Sequence, residues 1–159
     1  QIRSMGTING VEYTVVDYET LRNMIRSGMD VTKVCTSRIE YMDELFLYAY
    51  TFNQDLSAWD VSNVTTMSGM FNSAISFNQD LSAWDVGNVT DMSYMFENAS
   101  SFNQDLTWDV RNVTNMYGMF EYAQNFNQDL SAWDVSNVQE YGSFNYETPQ
   151  WTLPKPNFN

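Results

Sequence analysis

The sequence predicts an α/β solenoid in which each repeat of roughly 25 residues supplies one short helix and one strand. Three observations carry this. The chain repeats itself, since residues 61–85, 86–109 and 110–134 are copies of 25, 24 and 25 residues, each closing on Phe-Asn-Gln-Asp-Leu and Trp-Asp. Within a copy the apolar period changes: Val64, Met67, Met70, Phe71 and Ala74 have the spacing of one helix face, whereas Asn78 to Asp85 reads as extended. Such a unit cannot bury its own apolar face, so copies must stack, with strands about 4.8 Å apart in a parallel ladder.

The elements follow in order. Gly6 to Val16 holds an Asn9-Gly10 pair between β-prone residues, a hairpin signal. Asp17 is placed to cap a helix carrying Leu21, Met24 and Ile25 at helical spacing, with Gly28 at its end. Residues 1–35 therefore read as an amino-terminal cap that closes the first open edge. Residues 36–60 keep the apolar spacing of Ile39, Met42, Leu45, Phe46, Ala49 and Phe52 and form a divergent first copy. In the complete copies Thr65 or Thr66, Thr90 with Asp91, and Thr114 with Asn115 stand at helix-cap positions. The third copy, with Leu106-Thr107-Trp108 for the Leu-Ser-Ala-Trp of its neighbours, should be locally irregular. A fifth copy starts at Val135 and breaks, since Pro149, Pro154 and Pro156 cannot continue a ladder. The array thus spans 36–144, four repeats and a degenerate fifth, and 145–159 is a cap or tail.

The consensus N-V-T-x-M-x-x-M-F-x-x-A-x-x-F-N-Q-D-L-x-x-W-D-V, nearly verbatim three times, resembles the BspA-like bacterial surface-protein repeat of Mycoplasma-lipoprotein-type domains of unknown function, Listeria and Lactobacillus surface proteins. The likeness covers 36 to about 144. It implies a right-handed solenoid related to leucine-rich repeats, on secreted or surface-anchored proteins, with adhesion or protein binding as the expected role. It brings no catalytic residue set.

Composition narrows the function. The 159 residues suit one structural unit, and they contain no histidine and one cysteine, Cys35. That removes Ser-His-Asp and Cys-His chemistry, disulfides and zinc-thiolate clusters; composition leaves an enzyme of two carboxylates open, but a repeated array offers no unique pair, so neither catalysis nor a cofactor is expected. Net charge is −13, which argues against nucleic acid and anionic lipid as partners. The acid belongs to the array: residues 1–38 carry five basic and four acidic side chains, whereas 39–154 carry sixteen acidic and only Arg111 basic. No apolar run is long enough to span a bilayer, and the first residues lack a signal peptide's apolar stretch; a mature amino terminus fits equally.

Repetition picks out the candidate sites. Asp55, Asp80, Asp105 and Asp129 form one row, and Asp60, Asp85, Asp109 and Asp134 another. Stacked carboxylates could present an acidic stripe or share Ca²⁺, with Asp80, Asp105 and Asp129 as ligands; equally, each could accept backbone N–H groups at a turn. Asn53-Gln54, Asn78-Gln79, Asn103-Gln104 and Asn127-Gln128 recur, either as amide ladders or as a polar recognition surface. Trp59, Trp84, Trp108 and Trp133 would suit sugar stacking if exposed, and core packing if not. Asn63, Asn88, Asn98 and Asn112 match the glycosylation acceptor pattern, although each also suits a turn. The strand face is the expected docking surface, and its contact residues are Gln54, Asp55, Gln79, Asp80, Ser82, Gln104, Asp105, Gln128 and Asp129. The expected function is a non-enzymatic surface or secreted module that binds a protein or surface ligand. Alternatives are a structural subunit of a larger assembly, whose interface the aromatic richness and the tail from Trp151 to Asn159 could supply, or a carbohydrate-binding module.

Overall fold

Asp17 starts the one regular helix among the described residues: in extended conformation, its Oδ1 accepts the Thr20 N–H at 2.9 Å, and α1 runs Tyr18–Arg26 with Leu21 and Ile25 buried. The computed structural model describes residues 5–8 and 10–158. α1 ends on Gly28 at φ +68°, where Gly28 N–H reaches Ile25 O and Met29 N–H reaches Met24 O, a Schellman closure. Before it, β1 (Met5–Ile8) and β2 (Val11–Val15) pair antiparallel, and β2 pairs in parallel with β3 (Val34–Cys35). The hairpin is as expected; Asn9 of its turn lies outside the described residues, while Gly10 takes φ +81°.

From residue 36 onward the backbone differs from the sequence-based expectation. The segment read as a short helix, Val64 to Ala74, is a run of turns, and it is also where the copies pair. Tyr41, Thr66, Asp91, Asn115 and Glu140 stand side by side in parallel register. Alternate N–H groups leave the copy: Met67, Gly69, Phe71 and Ser73 donate to the carbonyls of Asp91, Ser93, Met95 and Glu97 at 2.8–2.9 Å. The intervening ones stay inside it, Met70 to Met67 O, Asn72 to Gly69 O and Ala74 to Phe71 O. Two left-handed residues per copy make this possible: Gly69 and Ser73, Tyr94 and Asn98, Gly118 and Tyr122. An α-helix cannot hold a φ near +60° every fourth residue, but consecutive tight turns require it.

The segment read as a strand, Asn78 to Asp85, has no backbone ladder among the described residues; side-chain amides join it to its neighbours instead. Asn53 Oδ1 accepts Asn78 N–H (2.9 Å), Asn78 Oδ1 accepts Asn103 N–H (3.0 Å) and Asn103 Oδ1 accepts Asn127 N–H (2.8 Å).

The interior is columnar. Phe46, Phe71, Phe96 and Phe120 stack with ring centroids 5.0–5.5 Å apart, and Phe52, Phe77, Phe102 and Phe126 at 6.0–6.1 Å. Methionine and leucine columns fill the space beside them, all buried. Full burial of one such side chain stabilises by roughly 1.5–3 kcal/mol, so each added copy supplies most of its own stability by covering its neighbour.

Both ends are closed by different chemistry. At the first copy, Trp59 Nε1 donates to Val31 O, and the Tyr18 hydroxyl donates to Asp43 O. At the last, pairing runs beyond residue 144: Tyr122 N–H reaches Tyr146 O, and Thr152 N–H reaches Asn127 Oδ1 as an asparagine-ladder residue would. Trp151 stands where the other copies have Phe and meets Phe126 edge-on at 82°, ending the face-to-face stack. Phe158 then lies flat on Tyr141, 4.6 Å between centroids.

The 24-residue copy is irregular where expected, but only at one corner. Its neighbours close a turn from Trp84 N–H to Leu81 O or Trp133 N–H to Leu130 O, which Trp108 lacks among the described bonds. The Trp108 ring nonetheless keeps its place, 6.5 and 6.4 Å from Trp84 and Trp133.

Candidate functional site

The four candidate Asp of the first row, Asp55, Asp80, Asp105 and Asp129, are all exposed, at one corner of each copy. Asp80 Oδ1 accepts Ser82 N–H at 2.8 Å, Asp55 accepts Ser57 N–H at 2.9 Å and Asp129 accepts Ser131 N–H at 3.0 Å. These turns hold the carboxyls below their ordinary range: at Asp55 and Asp80 the backbone N–H of Ser57 and Ser82 leads, at Asp129 the Ser131 hydroxyl. Asp105, in the short copy, has no such bond among those described. Each carboxylate keeps its second oxygen for solvent or a partner. Ser82 is exposed and serves Asp80 through its backbone.

The glutamines are committed. Gln79, Gln104 and Gln128 donate Nε2 to Oδ1 of Asn53, Asn78 and Asn103 at 3.0, 3.0 and 2.9 Å. Gln54 bonds twice to the cap, accepting Val31 N–H at 2.8 Å and donating to Met29 O at 2.9 Å. Of the two readings of the Asn-Gln row, the ladder describes these contacts; what the row presents outward is mainly the aspartates.

The second row behaves similarly. Asp60, Asp85, Asp109 and Asp134 accept the N–H of Ser62, Gly87, Arg111 and Ser136 at 3.0–3.3 Å. Among the described residues no group of three or more His, Cys, Asp or Glu is gathered so as to hold a metal ion, and Asp80, Asp105 and Asp129 are one such ungathered set. The spacing of one carboxylate of the row per copy, with Asp80 and Asp129 turned into their own loops, keeps them apart.

The indole row is interior. Trp59, Trp84, Trp108 and Trp133 are 3–7 % exposed, and the last three donate Nε1 to Leu56, Leu81 and Leu106 carbonyls at 2.9–3.0 Å. Sugar stacking needs accessible ring faces, and these faces are covered by one another. Asn63, Asn88 and Asn112 spend Nδ2 on the carbonyls of Ser37, Ser62 and Gly87, and Asn98 donates to Ser73 Oγ. Cys35 is half-buried, its Sγ 3.3 Å from Ser37 Oγ.

One surface escaped the sequence reasoning. Of ten tyrosines, eight are exposed, and all eight lie between residues 41 and 50, 94 and 122, or 141 and 146, on the turn ladder. Tyr94 leans on Tyr117 at 5.4 Å and Tyr122 meets Tyr146 edge-on at 5.7 Å. Glycine leaves room for these rings, since a Cβ on Gly118 would come within 2.8 Å of the Tyr94 ring and one on Gly142 within 2.7 Å of Tyr117. Beside them Glu97 accepts Asn72 Nδ2 at 2.5 Å, and burial, then the charge of Glu121, pushes its carboxyl above its usual range. Because the tyrosines change position from copy to copy, comparing copies for constant residues passes over them.

Residues 18–107 and 106–159 match the family described as "Mycoplasma protein of unknown function, DUF285". The chain belongs to this family. No curated protein and no solved structure matches it. The two matched stretches of this DUF285 chain meet at Leu106-Thr107, inside the short copy, and take in α1, every copy and the tail. The family's description assigns no activity, so the surfaces themselves must suggest one. No helix among the described residues is long and apolar enough to cross a membrane.

Proposed function

We propose that this chain is a non-enzymatic binding module, a BspA-like, LRR-like solenoid of a secreted or cell-surface protein that engages a protein partner or surface ligand through its repeated faces. The observation that carries the reading is that copies tied together by backbone and amide bonds present exposed side chains on repeated faces, aspartates at one corner and tyrosines on the turn ladder. Rigid repetition suits a partner that is itself extended: several weak contacts in register raise avidity without any one being strong.

The alternative of a subunit packed in a larger assembly would draw its interface from the aromatic richness of the chain and the tail from Trp151. Trp151 is instead buried against Phe126 and Phe144 of its own chain, and Phe158 rests on Tyr141. The tail aromatics are thus engaged within the chain, which favours the binding-module reading over an interface built on Trp151.

The test is affinity isolation from native extracts on the immobilised chain, repeated with an Asp80→Lys, Asp105→Lys, Asp129→Lys variant and with a variant altered on the turn face. Retention of a defined partner by the wild type, abolished by one of the two variants, is the expected result. If whatever is retained is indifferent to both, the binding-module reading falls.

A further inference from the structure

The turn ladder combines exposed tyrosines with carboxylates; among the described residues Arg22 approaches its first copy, over the Tyr18 ring that packs on Tyr41, and no cation pairs with Glu97 or Glu121. The one ion pair among the described residues, Arg111 with Asp109 at 2.9 Å, belongs to a different corner of the copy, and Lys155 is turned to the Trp151 carbonyl and ring. Residues 39–50, 64–76, 89–101, 113–125 and 138–150, the turn segments of the five copies, contain no Lys or Arg. Glu97 and Glu121 are thus like charges in neighbouring copies with no basic partner, beside aromatic rings whose faces are partly open. A surface of this kind is complementary to ammonium and guanidinium groups, which pair with the carboxylates and lie over tyrosine faces.

We propose that the turn face around Tyr94, Tyr117, Tyr122, Glu97 and Glu121 docks an extended polypeptide segment rich in lysine or arginine. This deepens the binding-module reading and rests on it, naming a face and a partner chemistry. The partner lies along the array, crossing copies. On this face two pairs of rings from adjacent copies are 5.4 Å apart (Tyr94 and Tyr117) and 5.7 Å apart (Tyr122 and Tyr146), and alternate side chains of an extended chain recur about every 6.6 Å. Basic residues at every second position therefore fall close to one per copy, and the flexible stems of lysine and arginine absorb the mismatch.

Three features favour this face over the aspartate corner. Asp55, Asp80 and Asp129 already accept backbone N–H groups, whereas the Glu121 carboxylate accepts no hydrogen bond among those described. The corner lacks exposed aromatics, so it offers charge without a ring. Finally, Tyr48, Tyr94 and Tyr122 occupy left-handed positions at φ 55–60°, where glycine, as at Gly69 and Gly118, or asparagine, as at Asn98, fits with less strain. Their presence there is not required by the fold.

The experiment measures fluorescence anisotropy of labelled ten-residue peptides on the whole chain at about 50 mM salt, where screening is modest. The probes are an alternating Arg-Ser peptide, a peptide of the same composition with the arginines in one block, and a Gln-Ser peptide. The variants are Tyr94→Asn with Tyr117→Ser, Glu97→Gln with Glu121→Gln, and, removing the same two charges at the other corner, Asp80→Asn with Asp105→Asn. Melting curves confirm that each variant is folded; asparagine is tolerated at the Tyr94 geometry because Asn98 adopts it in the same copy. The alternating peptide should bind best and the Gln-Ser peptide not at all. Each turn-face pair should weaken binding by about tenfold or more and the aspartate pair by less than about threefold. Absence of binding to the wild type, equal loss in the aspartate pair, or equal binding of the blocked peptide overturns the inference. A surviving partner in the extract experiment would then leave the binding-module reading in place, while failure of both would remove it.

Discussion

Asn103 offers the sharpest single-residue test of how the copies are held together. Its Oδ1 accepts Asn127 N–H at 2.8 Å and Gln128 Nε2 at 2.9 Å, whereas its own Nδ2 donates to nothing among the described residues. Asn103→Ala removes both bonds and leaves the half-buried Asn127 N–H without its acceptor, although Gln128 keeps the Asn103 carbonyl at 2.9 Å. A net hydrogen bond contributes about 0.5–1.5 kcal/mol, and water reaches this partly open site, so the loss should total about 1–2 kcal/mol. For a chain of this size that lowers the melting temperature by roughly 2–8 °C. Asn103→Asp preserves the acceptor and should lose much less at neutral pH. The exposed Gln124, which makes no side-chain bond among those described, supplies the control: Gln124→Ala should stay within about 0.5 kcal/mol. The assay is thermal unfolding followed by near-ultraviolet circular dichroism, where the stacked indoles report directly. If Asn103→Ala is as mild as Gln124→Ala, or Asn103→Asp as damaging as Asn103→Ala, the asparagine does not act as a ladder acceptor.

Other expectations follow from the same geometry. Trp84→Phe loses the Leu56 carbonyl bond at 3.0 Å and part of a buried column, and should cost about 2–3 kcal/mol in urea unfolding. Gly118→Ala places a Cβ 2.8 Å from the Tyr94 ring at φ +60°, costing about 1–2 kcal/mol; combined with Tyr94→Asn the loss should be less than additive. The aspartates of the turns have native pKa values below the ordinary one near pH 4, so their contribution is complete above that pH and disappears as pH falls through the lowered native values. Glu97 has the opposite sign: raised in the folded state, it penalises folding above its native value, so Glu97→Gln should raise the melting temperature at pH 7 and have no effect at about pH 3. Millimolar Ca²⁺ should leave the melting temperature unchanged, because a ligand bound only by the folded chain would raise it.

Much of the cap and core was legible in the sequence. Asp17, Leu21, Ile25 and Gly28 mark α1 by capping and period alone, and the apolar positions of the copies, Trp84 included, are buried apart from the half-buried Ala49, Phe52 and Val138 at the two ends. The backbone of the copies was not, for a physical reason. Consecutive turns closed by bonds between residues three apart bring Val64, Met67, Met70 and Phe71 to one side just as a helix would, so apolar spacing cannot separate the two. Gly69, Asn98 and Gly118 carried the distinguishing signal: residues that accept a left-handed conformation recurring inside a supposed helix face. The end of the array was read short at 144 because Pro149 masked the equivalence of Trp151 to Phe126, which only the Thr152 bond to Asn127 reveals. On the surface, constancy between copies pointed to the Asn-Gln-Asp corner, which largely serves the ladder. The exposed tyrosines vary in position between copies, so constancy does not single them out.

The central structural claim is that residues 65–74 are turns bonded to the next copy and not a helix bonded to itself. Scalar couplings across hydrogen bonds, measured by NMR between amide nitrogen and carbonyl carbon, address this bond by bond. Phe71 nitrogen should couple to the Met95 carbonyl and Gly69 nitrogen to the Ser93 carbonyl, matching contacts of 2.8 Å. Coupling of Phe71 nitrogen to the carbonyl of Met67, four residues back as in an α-helix, would contradict it.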